Sequence, residues 1–238
     1  DRLLGAFNRP MPHWLDFFCY TMFVDRDGKF QLGMLSTSAF KPLAASMGPM
    51  LKEESFHLGT GSNGLRRIIK AGVIPLDMLQ RYINKWVSTA HDLFGVDASS
   101  SAHWAYVWGI KGRWDERKKL DSGIEVNKET LNEESRGHYH DEIVFEVEKL
   151  SKYLPEGSTK LYVPHENFNR DIGSAKGQRF TTDGDVFVGS DEDWENYLYD
   201  VLPRSQDEED LKELFKQEWI ANKPMSARQI ESRIGASI

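Results

Sequence analysis

The chain contains a single cysteine, Cys19, among its 238 residues, so no internal disulfide can staple the fold and stability must come from packing. Cys19 lies in the aromatic run Phe17-Phe18-Cys19-Tyr20, which points to a buried, reduced thiol. No uninterrupted apolar run reaches the roughly 20 residues that span a bilayer. No charged-then-apolar leader is visible either, and a membrane role is not expected. Basic residues are in the minority: 30 Lys and Arg against 37 Asp and Glu, a net charge of -7, argue against nucleic-acid or membrane-surface binding. A cytoplasmic protein is the expectation. What is abundant is bulky apolar material, with seven Trp, thirteen Phe and 39% apolar residues, enough for a sizeable core. The first residue is Asp1 rather than Met and Leu3-Leu4 begins abruptly, so the chain is expected to be the later part of a longer protein.

Periodicity predicts a mainly α protein. The apolar stretch His13–Val24 suits a buried helix, and Asp25-Arg26-Asp27-Gly28 has the composition of a turn or kink. A second helix is expected from about Ala39 to Leu58, ended by the run Gly59-Thr60-Gly61-Ser62-Asn63-Gly64. Pro75 opens a third helix through Leu93, with a stripe of Leu79, Ile83 and Trp86. Ser99 to Ser101 cap a fourth helix, in which core packing is the expected role of Trp104. A long helix from about Thr130 to Tyr153 carries a stripe of Glu133, Arg136, His140, Ile143, Val144, Val147 and Leu150, with Glu134, His138 and Glu142 on the opposite side. Beyond Pro155 the pattern changes. Leu161-Tyr162-Val163 and Asp185-Val186-Phe187-Val188 read as short strands or extended segments, and the acidic run from Asp207 starts an amphipathic helix with Leu211, Leu214, Phe215 and Trp219. The expected organisation is a helical bundle over 1–155 and a smaller irregular α/β region over 156–238.

Glu54 and His57 are the residues of greatest chemical interest. Three apart, they share a helix face, and that face also carries Met47, Met50, Leu51 and Leu58, which predicts a carboxylate turned into an apolar core. Such a group has to be paired, protonated or bound to a cation. Helices bearing Glu and Glu-x-x-His toward a common interior are the ligand pattern of carboxylate-bridged two-metal bundles, and oxygen with imidazole donors suits iron or manganese. A solvated or hydrogen-bonded pair is the alternative. Glu133 and His140 on the long helix, and Asp25 at the end of the Leu15, Phe18, Met22 stripe, are the further metal candidates. Against them stand a polar helix start with one core histidine, and an ordinary turn. Arg66 and Arg67, with Lys70, are candidates for contacting the phosphates of a large anionic cofactor or thioester, with a solvated basic turn as the alternative.

Several segments, taken together and in order, resemble a known family. Asp25-Arg26-Asp27-Gly28-Lys29-Phe30-Gln31-Leu32, Glu53-Glu54-Ser55-Phe56-His57, Ile74-Pro75-Leu76-Asp77, Asp92-Leu93-Phe94-Gly95, Gly109-Ile110-Lys111-Gly112-Arg113 and Pro164-His165-Glu166-Asn167-Phe168-Asn169-Arg170-Asp171-Ile172-Gly173 are similar to the oxygenase components of benzoyl-CoA 2,3-epoxidases. The resemblance implies a ferritin-like bundle with a di-iron centre that activates dioxygen, an aromatic acyl-CoA substrate and electrons from a separate reductase. By motif, Glu54 and His57 would be iron ligands and Glu54 the catalytic carboxylate. Val24, Trp104 and Gly137 stand where further ligands are looked for. A homologue that has lost ligands and serves as a structural or partner-binding scaffold is the alternative reading.

Overall fold

The aromatic stretch after His13 has no helix breaker, and it folds as one continuous helical rod. The computed structural model describes residues 5–113 and 129–215, with side chains from 7 to 113 and from 129 to 214. In it the rod consists of α1 (Trp14–Cys19), a π-helical turn (Tyr20–Val24) and α2 (Asp25–Leu35). Asp25-Arg26-Asp27-Gly28 is therefore not a turn but the first turn of α2. Its turn-like composition is overridden by burial of Met22, Phe23 and Val24 immediately before it and of Phe30 after it. The π turn adds one residue to the helical repeat, which rotates everything after it relative to α1.

Helix α3 (Lys41–Ala71) is 31 residues long and runs through the Gly59–Gly64 segment instead of ending there. The reason is tertiary. A Cβ on Gly61 would lie 2.5 Å from the Met22 nitrogen and one on Gly64 would lie 2.2 Å from the Phe18 ring, so these glycines let α3 press against the rod. The cost of glycine in a helix, about 1 kcal/mol each, is offset by that close packing.

The remaining bundle follows the predicted pattern. Helix α4 (Leu76–Asp92) begins after Pro75 and buries Leu79, Tyr82, Ile83, Trp86, Val87 and Ala90. Buried Asp16 ties α1 to α4 by accepting from the Lys85 ammonium at 2.6 Å and the Trp86 indole at 2.8 Å. Helix α5 (Ser100–Val107) is capped by the Ser99 hydroxyl, which accepts the Ala102 amide at 3.2 Å. Trp104 on α5 is half exposed and tilted against Trp108, not in the core. Helix α6 (Leu131–Ser151) packs on α2 and α3.

After α6 the backbone is irregular. The expected strands reduce, among the described residues, to an isolated antiparallel bridge between Phe180 and Val186. Helix α7 (Asp191–Val201) was not foreseen from periodicity, although its capping box was legible: the Ser190 hydroxyl accepts the Asp193 amide at 3.1 Å and the Asp193 carboxylate accepts the Ser190 amide at 2.9 Å. The chain to Pro203 is one compact unit, and a second begins at Arg204. In the second unit α8 (Ser205–Phe215) starts in the acidic run as expected, with Asp207 accepting the Arg204 amide at 2.9 Å. Trp219 lies outside the described residues. No described helix is long and apolar enough to cross a membrane.

Candidate metal centre

The π turn and the glycine contact set the site. The turn places Asp25 at the start of α2, and the close approach at Gly61 brings the preceding two turns of α3 alongside. As a result Asp25, Glu54 and His57 each offer a ligand atom within 4.8 Å of the others, the only such group of three among the described residues. His57 Nδ1 is 3.6 Å from Asp25 Oδ2 and 3.7 Å from Glu54 Oε2. Glu54 Oε2 is buried with no hydrogen-bond partner. A Cβ on Gly28 would come within 3.2 Å of Glu54 Oε1, so the absence of a side chain there leaves the carboxylate its room.

The surroundings favour a cation. Burial, then the neighbouring Glu54, pushes the Asp25 carboxyl up to about 6, with His57 opposing. Burial likewise raises Glu54, again opposed by His57. Two crowded carboxylates with an orphaned oxygen and an imidazole form a donor set that iron or manganese satisfies. The residues present thus fit a metal of that class.

The site is not the closed core that the Met47–Leu58 stripe predicted. Of that stripe only Met47 is buried; Met50 is exposed, and the His57 side chain is 54% exposed against 18% for Asp25 and 20% for Glu54. Leu51 and Leu58 on the same face are half-buried, so the stripe is only partly covered by the described residues.

Glu133 and His140 are not brought to this site. The buried face of α6 runs through Asn132, Ser135, Arg136, Tyr139, Ile143 and Val147, so Tyr139, not His140, points at the rod. His140 Nδ1 instead meets His91 Nε2 at 3.3 Å, and burial lowers the pKa of both rings. Glu133 is exposed at the N-terminus of α6, where its amide and that of Asn132 donate to Asp97, each at 2.9 Å. Arg66 stacks on the Tyr153 ring at 5.8 Å, and Arg67 is exposed on α3. Glu142, which the periodicity set on the outer side, reaches α2 and accepts from Arg26 and Lys29. Its spacing of three from Tyr139 was the available signal.

Asp27, one turn into α2, is buried and accepts from Gln31 Nε2 at 3.1 Å. Burial raises its carboxyl from 3.8 to about 7, with Gln31 and Lys111 opposing. The folded state holds this proton more tightly than the unfolded chain does. The group's stabilising contribution is therefore full below pH about 4 and is lost as pH rises through about 7. Asp27→Asn keeps the acceptor for Gln31 and is expected to raise stability at pH 8 by about 1–3 kcal/mol. Urea denaturation at pH 5 and pH 8 checks this, and a variant less stable than the parent at pH 8 contradicts it.

A helical bundle with a carboxylate–histidine cluster between a rod and a long crossing helix defines the class, a helical protein with a candidate metal centre. The comparisons give the family. The model of the phenylacetic acid catabolic protein family matches residues 2–173, and the chain belongs to that family. It is 32% identical over 247 aligned residues to benzoyl-CoA oxygenase component B of Aromatoleum evansii, a match that covers 87% of this chain and 52% of the relative. The chain thus spans about half the length of the curated relative it matches.

Proposed function

We propose that this chain carries one ligand set of a di-iron centre in an oxygenase acting on an aromatic acyl-CoA. The observation that carries the reading is the convergence of Asp25, Glu54 and His57, with Glu54 Oε2 left without a hydrogen-bond partner. The family membership and the likeness to a benzoyl-CoA oxygenase component support an aromatic acyl-CoA as the substrate class. Two-metal carboxylate bundles draw a carboxylate and a Glu-x-x-His from each of two helix pairs. Asp25 with Glu54 and His57 is one such set. A second carboxylate and Glu-x-x-His, on helices packed over the exposed Met50 and His57, would complete a ferritin-like centre.

The protein's own part is to bind and orient. Asp25 and Glu54 would hold metal through hard oxygens, and His57 would hold it through an imidazole nitrogen from the same helix face as Glu54. The absence of a side chain at Gly28 leaves the Glu54 carboxylate its room beside the rod. When bound, the centre supplies reductive activation of dioxygen, placing one oxygen atom in the substrate and the other in water with two electrons from a separate reductase.

Anaerobic reconstitution with ferrous iron followed by metal analysis is the test. At least about one iron per chain is expected, because a metal needs only a preformed set of deprotonated ligands. Less than one iron per several chains would overturn the reading. That outcome would favour the scaffold alternative, to which the half-exposed His57 also lends itself.

A further inference from the structure

Asp25 has natural competitors for its charge. Lys29 stands four residues further along α2, the spacing at which an acidic residue on a helix pairs with a lysine. Arg26 is its immediate neighbour. Neither pairs with it. Lys29 Nζ donates to Glu142 Oε2 at 2.6 Å, and the Arg26 guanidinium donates to Glu142 Oε1, so both cations are drawn across to α6. Arg26 is buried, and its Nε also donates to the Met22 carbonyl of the π turn at 3.1 Å. One helical step back on α6, the Tyr139 hydroxyl donates to the next carbonyl, that of Phe23, at 3.1 Å.

We infer that Glu142 is a positioning residue for the metal ligand Asp25: by holding Lys29 and Arg26 from α6, it keeps the Asp25 carboxylate clear of ammonium and guanidinium and open toward Glu54 and His57. The physical basis is competition. A carboxylate that is partnered by a lysine must give up that pair before it can bind a metal, whereas among the described residues Asp25 is left with only the histidine of its own site as an ion-pair partner. Glu142 is suited to the task because it is half-buried and receives two cations at once, so neither is readily released. Its role is distinct from ligation, since Glu142 is not one of the three residues whose ligand atoms converge.

The proposal rests on the metal reading above, and its test separates the two. Cobalt(II) is titrated into the metal-free parent, Glu142→Gln, and Glu142→Gln/Lys29→Met, following the visible cobalt band and thermal unfolding. Glu142→Gln is expected to weaken cobalt binding by about 10- to 100-fold, the range seen for residues that orient ligands. Removing the released lysine in the double variant is expected to recover most of that loss, which a merely structural role would not allow. A crystal structure of metal-free Glu142→Gln should show Lys29 Nζ turned to Asp25 at ion-pair distance. If the parent shows no cobalt band while Lys29 has turned to Asp25, the metal reading fails and the diversion of charge stands. Unchanged cobalt binding in Glu142→Gln, or a double variant no better than the single, overturns the proposal. So does a Lys29 that stays away from Asp25. Should Glu142→Gln fail to fold, Lys29→Met alone must bind cobalt at least as tightly as the parent, and weaker binding overturns the proposal as well.

Discussion

Glu54→Gln is expected to weaken ferrous iron binding by at least about 100-fold, since it removes a charged ligand rather than a residue that orients one. The same substitution should leave the metal-free protein as stable as the parent or more so at neutral pH. Burial raises the Glu54 carboxyl, so ionising it costs the folded state, and the neutral amide avoids that cost. The opposed signs make the experiment decisive: iron affinity falls while apo stability holds. A loss of both would mean that Glu54 is a packing residue. The pH dependence follows from Asp25, whose carboxyl is raised to about 6. With a folded pKa above the unfolded one, the apo protein gains stability as pH falls through about 6 toward 4. Iron binding runs the other way, because the protonated carboxyl no longer binds metal. Isothermal titration with iron at pH 5 and pH 7.5 distinguishes this from a site that does not titrate.

Gly61→Ala is expected to cost about 3 kcal/mol of stability, the upper part of the range for forcing atoms into a packed interface. Its Cβ would sit 2.5 Å from the Met22 nitrogen and 2.8 Å from the Met22 Cα, and backbone cannot step aside as a side chain can. Gly64→Ala meets the Phe18 ring, which can rotate, so about 1–2 kcal/mol is expected there. Metal affinity should fall with Gly61→Ala as well, since pushing α3 off the rod separates Glu54 and His57 from Asp25. Denaturation midpoints of the two variants give the order, and a Gly61→Ala protein as stable as the parent would contradict the packing account.

Much of the helical framework could be read from residue order because its signals are local. Pro75 marks the start of α4, Ser99 caps α5, and the apolar repeat outlines α6 to within two residues at each end. Of the candidate cluster, Glu54 and His57 were paired for the same reason, sharing a face by spacing alone, whereas Asp25 read equally as part of a turn and is set beside them only by the π insertion. What misled were positions where a contact from elsewhere in the chain decides. Gly59 to Gly64 look like a helix end until Met22 and Phe18 are found pressed against them. Glu133 and His140 look inward until Tyr139 is seen to take the inner face of α6 by bonding to the Phe23 carbonyl. Glu142 looks outward until Arg26 and Lys29 come to meet it.

Residue order by itself determined that this is a mainly α protein with a Glu-x-x-His on one helix, because helical periodicity and capping depend on neighbours within a few positions. Only the tertiary structure decided that Asp25, Glu54 and His57 meet at an open face and that Glu142 draws the neighbouring cations aside. Those outcomes depend on a one-residue π insertion and on glycines with no Cβ, whose effects appear only when α3 and α6 are packed against the rod.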